Sequence, residues 1–431
     1  MQADVPQKTI YKVIAAASIG NFVEWFDFAV YGFLATAISQ QFFPGDDPQA
    51  GLLKTFVVFA VAFAFRPLGG VVFGMLGDRI GRKRTLALTI LLMAAATTAI
   101  GFLPNYAAIG VAAPLALTLA RCVQGFSAGG EYAGACAYVM EHAPRGQRAR
   151  YASFLPVSTF SAFASAAVVA YALGVWLGSQ AMADWGWRLP FILSAPLGLI
   201  GLYLRTRLAE TPAFQAVAEE DHGAQHASLR ETFGSHGLRI LWLSLFIAVT
   251  ALSFYTFTTY FSTYVQVVGQ LSRNQALLVG VCGLLVAIAL CPLAGRYSDH
   301  VGRKRTMYTV CALAIVCAYP SFQLAKSGSV PLALLGAALQ ALAAVLSGVV
   351  TAVLLSELFP TRIRYTASAI SYNLAYTVFG GTAPLMATYL IERTGDHLAP
   401  AYYLMAIAVL ALLGASQLPE TAQVDLADVR S

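Results

Sequence analysis

Charge is what this 431-residue sequence has least of. Asp, Glu, Lys and Arg make up 11% of it, against about 25% in an ordinary soluble domain. Hydrophobic residues make up 58%, and the mean hydropathy is +0.67. A soluble globular chain is excluded. Aromatic residues at 12% exclude disorder. No C-x-x-C pair joins the six cysteines, all of which sit in apolar runs. They read as small core residues, so neither a disulfide frame nor a metal site is expected. The H-E-x-x-H, Walker, nucleophile-elbow and dinucleotide patterns are missing. We therefore expect no enzyme, no cofactor and no ATP drive. Ten-residue strands of alternating polarity are missing too, which excludes an outer-membrane barrel. Residues 1–9 are polar, and the apolar stretch after them is too long for a cleaved signal.

What is present is a series of long apolar runs. A membrane helix needs about 20 such residues. Twelve candidate spans lie near 12–38, 51–77, 85–104, 109–141, 150–177, 187–206, 237–266, 273–297, 305–324, 329–357, 363–391 and 399–418. The expected fold is all-α and integral to a membrane: a six-helix bundle over 1–206, a linker over 207–236, a second bundle over 237–418 and a short tail over 419–431. In a soluble chain the net charge of +6 would suggest nucleic acid; here it poses a question of sidedness, and no nucleic-acid partner is expected. Both termini and five of the loops share one side, which holds 20 of the 27 basic residues. The other side holds Lys54, Arg188, Arg273, Lys326 and Arg393, and Arg66 and Arg121 lie inside spans. The bias puts both termini in the cytoplasm of a bacterial-type inner membrane. The linker carries Glu219, Glu220, Asp221, His222, His226 and His236, whose spacing matches no ligand set.

The two halves repeat each other. The loop after span 2 runs from Gly74 to Arg84 as G-M-L-G-D-R-I-G-R-K-R, and the loop after span 8 runs from Gly295 to Arg305 as G-R-Y-S-D-H-V-G-R-K-R. Glu141, Pro144 and Arg148 after span 4 match Glu357, Pro360 and Arg364 after span 10. Glu210-Thr211 after span 6 echoes Glu420-Thr421 after span 12. Six plus six helices in parallel repeats describe a transporter whose halves are related by an axis along the membrane normal.

The G-x-x-x-D-x-x-G-R-K-R loops resemble the signature of the major facilitator superfamily. Other stretches resemble its metabolite:proton symporter family: Gly20 to Phe28 (G-N-F-V-E-W-F-D-F), Arg66 to Gly70 (R-P-L-G-G), Gln124 to Tyr132, Asp184 to Pro190 and Glu210 to Phe214. The resemblance covers nearly the whole chain. It implies import of citrate, 2-oxoglutarate, other dicarboxylates or shikimate, or of zwitterions such as proline and betaine. It also implies that Asp78, Arg82, Asp299 and Arg303 belong to inter-helix charge networks that hold the inward-closed state. Exporters of this superfamily often carry G-P-x-x-G-G in span 5, and span 5 here lacks it.

Ionisable groups inside a bilayer are expensive and mark function. Glu24 and Asp27, three residues apart, share a helix face. Two like charges that close do not both ionise easily, so one is expected to take a coupled proton, Asp27 ahead of Glu24. Glu131 is a further proton candidate. Arg121, ten residues from Glu131, cannot reach it within one helix. A guanidinium fork matches a carboxylate bidentately, so Arg121 is the first candidate to hold an acidic substrate and Arg66 the second. Tyr260, Tyr264, Tyr372 and Asn373 are candidates to complete the pocket by hydrogen bonds or cation–π contact. Trp185, Trp187 and Arg188 read as an interface anchor. The expected function is proton-coupled symport of a small organic acid by alternating access, with each chain working as a monomer. The alternatives are symport of a zwitterionic osmolyte and, less favoured, proton-coupled efflux. The expected partners are the substrate, protons and the lipid bilayer. Two buried arginines against three buried acids leave no excess positive charge for a tricarboxylate.

Overall fold

The computed structural model describes residues 7–45, 48–207 and 229–426, all of it helix and connecting turns. Residues 208–228, with Glu210-Thr211 and most of the acidic and histidine-bearing linker, lie outside the described residues. Twelve long helices follow in order. They are α1 (Gln7–Phe33), α2 (Pro48–Ile80), α3 (Arg82–Phe102), α4 (Ala112–His142), α5 (Phe154–Ala181) and α6 (Arg188–Thr206), then α7 (Leu229–Tyr255, continuing to Val267), α8 (Arg273–Val301), α9 (Arg303–Ala325), α10 (Val330–Glu357), α11 (Arg364–Ala375, continuing to Thr394) and α12 (Ala399–Gln417).

Eleven of these are long and apolar enough to cross a membrane. The twelfth is α4, with 31 residues. It carries Arg121, Gln124, Glu131 and Glu141, all buried. Because these side chains face the protein, with Gln124, Glu131 and Glu141 partnered there, α4 need not be apolar enough to stand alone in lipid.

The packing repeats as the sequence does. In the first half α2 packs on α4, α3 on α6 and α1 on α5; in the second, α8 packs on α10, α9 on α12 and α7 on α11. The halves meet through a crossed pair of contacts, α2 with α11 and α5 with α8. Two motif glycines show why the repeated text is needed. Gly81 and Gly302 join α2 to α3 and α8 to α9 with φ of 100° and 96°, a region that side chains with a Cβ avoid. Gly74 and Gly295 lie where helices of opposite halves touch: a Cβ on Gly74 would press on the Thr366 backbone, and one on Gly295 on the Ala149 carbonyl.

The helical repeat shifts register at π-helical turns over Thr256–Tyr260 in α7 and Tyr376–Gly380 in α11. Such turns often mark functional positions. Here they flank Tyr255 and Tyr376, both buried between the halves. Of the expected interface anchors, Trp185 is 48% exposed, whereas Trp187 is not available to an interface. Trp187 is buried against Phe42 and Phe191. Arg188 donates to the Gly101 and Leu103 carbonyls at 2.9 and 2.6 Å, satisfying the C-terminal end of α3.

Candidate functional site

The face that carries the basic loops is closed by two clusters related by the internal repeat. In one, Asp78 of α2 accepts hydrogen bonds from the backbone N–H of Tyr365 (3.2 Å) and Thr366 (2.9 Å) at the start of α11, and from the Thr366 hydroxyl (2.8 Å). In the other, Asp299 of α8 accepts from the backbone N–H of Ala149 (2.9 Å) and Arg150 (2.8 Å) ahead of α5. A carboxylate at the positive end of a helix is a favourable pairing. Arg82 sits 3.4 Å from both Asp78 and Glu141. Arg303 lies 3.0 Å from Asp299 and 3.1 Å from Glu357. The halves then exchange partners: Arg364 of the second half binds Glu141 of the first at 2.8 Å, and Arg148 of the first binds Glu357 of the second at 3.3 Å. The four residues named from the motif all take part in these contacts. The repeat pair Glu141/Arg148 and Glu357/Arg364 supplies the bonds that cross between halves.

The C-terminal segment lies over this face. Thr421 donates to Glu357 at 2.7 Å, Arg148 donates to the Val424 carbonyl at 2.7 Å and Arg364 to the Leu426 carbonyl at 2.7 Å. Glu420 takes the backbone N–H groups of Arg303 and Lys304 at 2.8 and 3.0 Å. Partial burial pushes the Glu420 carboxyl upward, but the backbone donors of Arg303, Ala422, Lys304 and Thr421 outweigh it and hold the group below the usual carboxylate range. Its contribution is present above the ordinary carboxylate value and fades as pH falls through the lower folded one. The hold of this segment is therefore expected to be unchanged at neutral pH and to weaken in acid. Hydrogen exchange of the Arg303 and Lys304 amides between pH 7 and pH 3, corrected for intrinsic rates, checks this.

The opposite face is open. A cleft of about 280 Å³ lies between α1, α2 and α5 on one side and α7 and α8 on the other. Its first-half wall is mostly phenyl rings, including Phe28, Phe33, Phe56 and Phe59; its second-half wall carries Thr258, Thr259, Ser262, Thr263, Gln266 and Arg273.

Between the closed and open faces lies an aromatic box shared by the halves. Trp25 and Tyr132 come from the first half; Phe254, Tyr372 and Tyr376 come from the second. Tyr372 stacks on Tyr132 with centroids 4.5 Å apart and on Tyr376 at 4.0 Å. Trp25 meets Phe254 edge-on at 5.0 Å and Tyr376 at 6.2 Å. Asn21 fixes the indole by accepting its N–H at 3.1 Å, while its own amide donates to Ser158 and Thr159 at 2.7 and 2.8 Å. The cavity inside the box is about 20 Å³, room for about one water.

Arg66 lies beside this box, next to the Trp25 ring, and does not line its cavity. Its guanidinium donates to Glu24 at 2.9 Å and to Asn373 of the other half at 3.2 Å. It lies 5.7 Å from the Trp25 ring centroid and 5.4 Å from that of Phe28. Tyr255 and Tyr372 are within its electrostatic reach. Glu24 Oε2, Arg66 Nη1 and the Tyr255 hydroxyl are buried without a hydrogen-bond partner.

The remaining candidates are placed differently from the expectation. Glu24 and Asp27 do not share an environment. Asp27 turns into the first bundle, where it accepts from Thr97 at 2.5 Å and from Ser194. Each carboxylate has its own donors, so the like-charge argument that joined them fails. Glu131 is held by Arg205 and by the Thr89 hydroxyl at 2.6 Å. Arg205, in the last turn of α6, reads as a loop charge in the sequence, yet it is 3% exposed. Replacing Arg205 with Leu leaves a buried carboxylate unpaired and is expected to cost about 3–5 kcal/mol. A thermal-melt comparison with the Glu131→Gln/Arg205→Leu pair, which removes both charges, checks this. Tyr260 and Tyr264 are not in the box. Tyr264 donates to the His397 carbonyl at 2.9 Å and packs on Phe322, and Tyr260 meets Thr388. Their shared helix face points into the second bundle because the π turn intervenes after Tyr255. Tyr372 and Asn373 lie at the junction of the halves, beside Tyr132 and Arg66.

Comparison with known proteins identifies the fold and its class. The model of the Major Facilitator Superfamily matches residues 17–383 and again 292–422. The glycine betaine/proline/ectoine/pipecolic acid transporter OusA of Dickeya dadantii is 41% identical over 421 residues, 95% of this chain and 83% of that one. The proline/betaine transporter of Salmonella typhimurium is 38% identical over 419 residues, covering 95% of this chain and 84% of the relative. A solved structure of the proton:xylose symporter XylE covers 99% of each chain with a TM-score of 0.79 at 18% identity, a likeness of fold. The chain belongs to the major facilitator superfamily. It is a membrane transporter and not an enzyme.

Proposed function

We propose that the chain is a proton-coupled symporter of a bacterial inner membrane. It imports a small zwitterion of the proline or betaine kind, works as a monomer and keeps its basic face and both termini in the cytoplasm. One observation carries the reading: an aromatic box with a guanidinium beside it, at the junction of the two halves. A quaternary or secondary ammonium is stabilised on ring faces by about 0.5–2 kcal/mol, most on Trp. A carboxylate is taken by Arg66, whose Nη1 is unpartnered, and by the Tyr255 hydroxyl beside it. Relatives named for proline and betaine support this class over the organic acid. So does charge, because Arg66 already answers Glu24 and a di- or tricarboxylate needs more.

Coupling follows from competition. The substrate carboxylate takes Arg66 from Glu24, and Glu24 then binds a proton in place of its lost counter-charge. Proton and zwitterion load together. Glu24 suits this role better than Asp27 or Glu131, because its donor Arg66 also reaches Asn373 across the junction of the halves. The cavity in the box admits only a water-sized group, so substrate binding separates the rings. The cleft then closes and the cytoplasmic face opens as the Glu141–Arg364 and Glu357–Arg148 pairs part.

Two results test the reading. In proteoliposomes with an inside-alkaline gradient, offered betaine, proline, citrate, succinate, 2-oxoglutarate and shikimate, the zwitterions are expected to accumulate. Accumulation of an acid alone contradicts the proposal. Trp25→Ala is expected to weaken betaine affinity about tenfold or more, since 1.4 kcal/mol is a factor of ten, while Tyr264→Phe leaves it unchanged. For the gate, replacing Arg148 and Arg364 with Gln is expected to add a longer population to the distance between spin labels at Arg84 and Arg305.

A further inference from the structure

Each of the other buried arginines meets a carboxylate. Among the described residues Arg66, Arg82, Arg148, Arg205, Arg303 and Arg364 all lie within 4 Å of one. Arg121 alone does not. Its side chain is fully buried in α4. Nη1 donates to Gln124 at 2.7 Å, while Nε and Nη2 have no partner. A buried cation without a counter-charge in contact is costly, and Asp27 answers Arg121 only at a distance, through Gln124 and Thr97. Three rings partly offset that cost here: the guanidinium carbon is 4.3 Å from the Tyr31 centroid, 4.9 Å from Phe28 and 5.2 Å from Phe59. Phe28 and Phe59 are also wall residues of the open cleft. Arg121 therefore stands directly behind the cleft, covered by two of its rings.

We propose that Arg121 and the cleft form a second, outer binding site for the same zwitterion, occupied before the central box. The inference rests on the zwitterion reading of the transporter. Rotation of the Phe59 ring opens the unpartnered Nε and Nη2 to the cleft. A carboxylate seated on them supplies a counter-charge in direct contact. The ammonium end then lies against the phenyl wall, facing the hydroxyls of Thr259 and Ser262. At about 280 Å³ the cleft has room for a small amino acid or betaine. Phe28 and Tyr255 separate this site from the box, so the two are filled in sequence and not by one molecule.

Equilibrium dialysis of the purified full chain with radiolabelled glycine betaine tests this. The wild type is expected to bind two molecules per chain, and Arg121→Gln and Trp25→Ala one each. Arg121→Lys keeps the buried charge but loses the fork, and is expected to weaken one of the two sites about tenfold. Phe59→Ala uncovers the guanidinium and is expected to fill that site at several-fold lower concentration. A single molecule per wild-type chain, with uptake intact, overturns the outer site alone. Unchanged affinities in both Arg121→Lys and Phe59→Ala overturn it as well, whether or not Arg121→Gln folds. No betaine binding and no betaine uptake by the wild type overturns the zwitterion reading and this site with it.

Discussion

Glu24→Gln is expected to abolish proton-driven accumulation and to leave exchange of substrate across the membrane intact. The reason lies in two costs of similar size. Leaving Glu24 charged after the substrate takes Arg66 costs about 3–5 kcal/mol, as for any buried charge stripped of its partner. Protonating an ordinary carboxylate at pH 7 costs about 1.4 kcal/mol per pH unit below 7, roughly 4 kcal/mol in all. Because the two are matched, whether Glu24 holds a proton depends on whether Arg66 is free to pair with it. Gln cannot take a proton, so the link is lost while the path for the zwitterion stays. With a two-unit pH gradient, one proton per substrate supports about hundredfold accumulation. The variant is expected to equilibrate instead, with internal and external concentrations equal. Counterflow of labelled betaine in preloaded vesicles checks that exchange survives. Asp27→Asn is expected to keep the coupling, since Thr97 and Ser194 meet an amide as well as a carboxylate. Loss of accumulation in Asp27→Asn with normal accumulation in Glu24→Gln reverses the assignment.

Arg66→Lys is expected to weaken zwitterion affinity by about 10- to 100-fold, although the charge is kept. Arg66 performs three tasks with one planar group: it pairs with Glu24, it donates to Asn373 of the other half, and it leaves Nη1 free to take a further acceptor. An ammonium is a point charge without the fixed fork. It can hold Glu24 or reach across to Asn373, but not both while also offering a donor to a carboxylate. Losing one or two charge-assisted hydrogen bonds, at about 1.5–3 kcal/mol each, gives that range. Binding is the measurement to make, by dialysis at a single pH, because uptake mixes affinity with coupling. A Lys variant with wild-type affinity removes Arg66 from the substrate site.

Much of this arrangement was legible in the sequence. The repeated G-x-x-x-D-x-x-G-R-K-R text gives the two-fold plan, and the charge bias along the loops supports the span count. Arg66, Tyr372 and Asn373 were named from polarity in apolar context, and all three lie at the junction of the halves. What was not legible depends on neighbours distant in the chain. Trp25 lies in a stretch noticed for its two acids, yet it is Asn21 that turns the indole toward the box. Tyr260 and Tyr264 satisfy helical spacing, but the π turn at Thr256–Tyr260 breaks the period on which spacing arguments rest. Arg205 is at a helix end, where a charge normally reaches water; only the packing of α3, α4 and α6 shows that it instead reaches Glu131. Glu24 and Asp27 are close in sequence, and tertiary donors pull them to different partners.

Competition for Arg66 is the centre of this account, and proton movement on adding substrate reads it most directly. De-energised proteoliposomes in weakly buffered medium are given glycine betaine while external pH and labelled betaine are followed together. The external medium should turn alkaline in step with uptake, at a constant ratio of protons to betaine, and the pH change should vanish in Glu24→Gln. Betaine entering the wild-type vesicles with no change in external pH would contradict the coupling of Glu24, Arg66 and substrate.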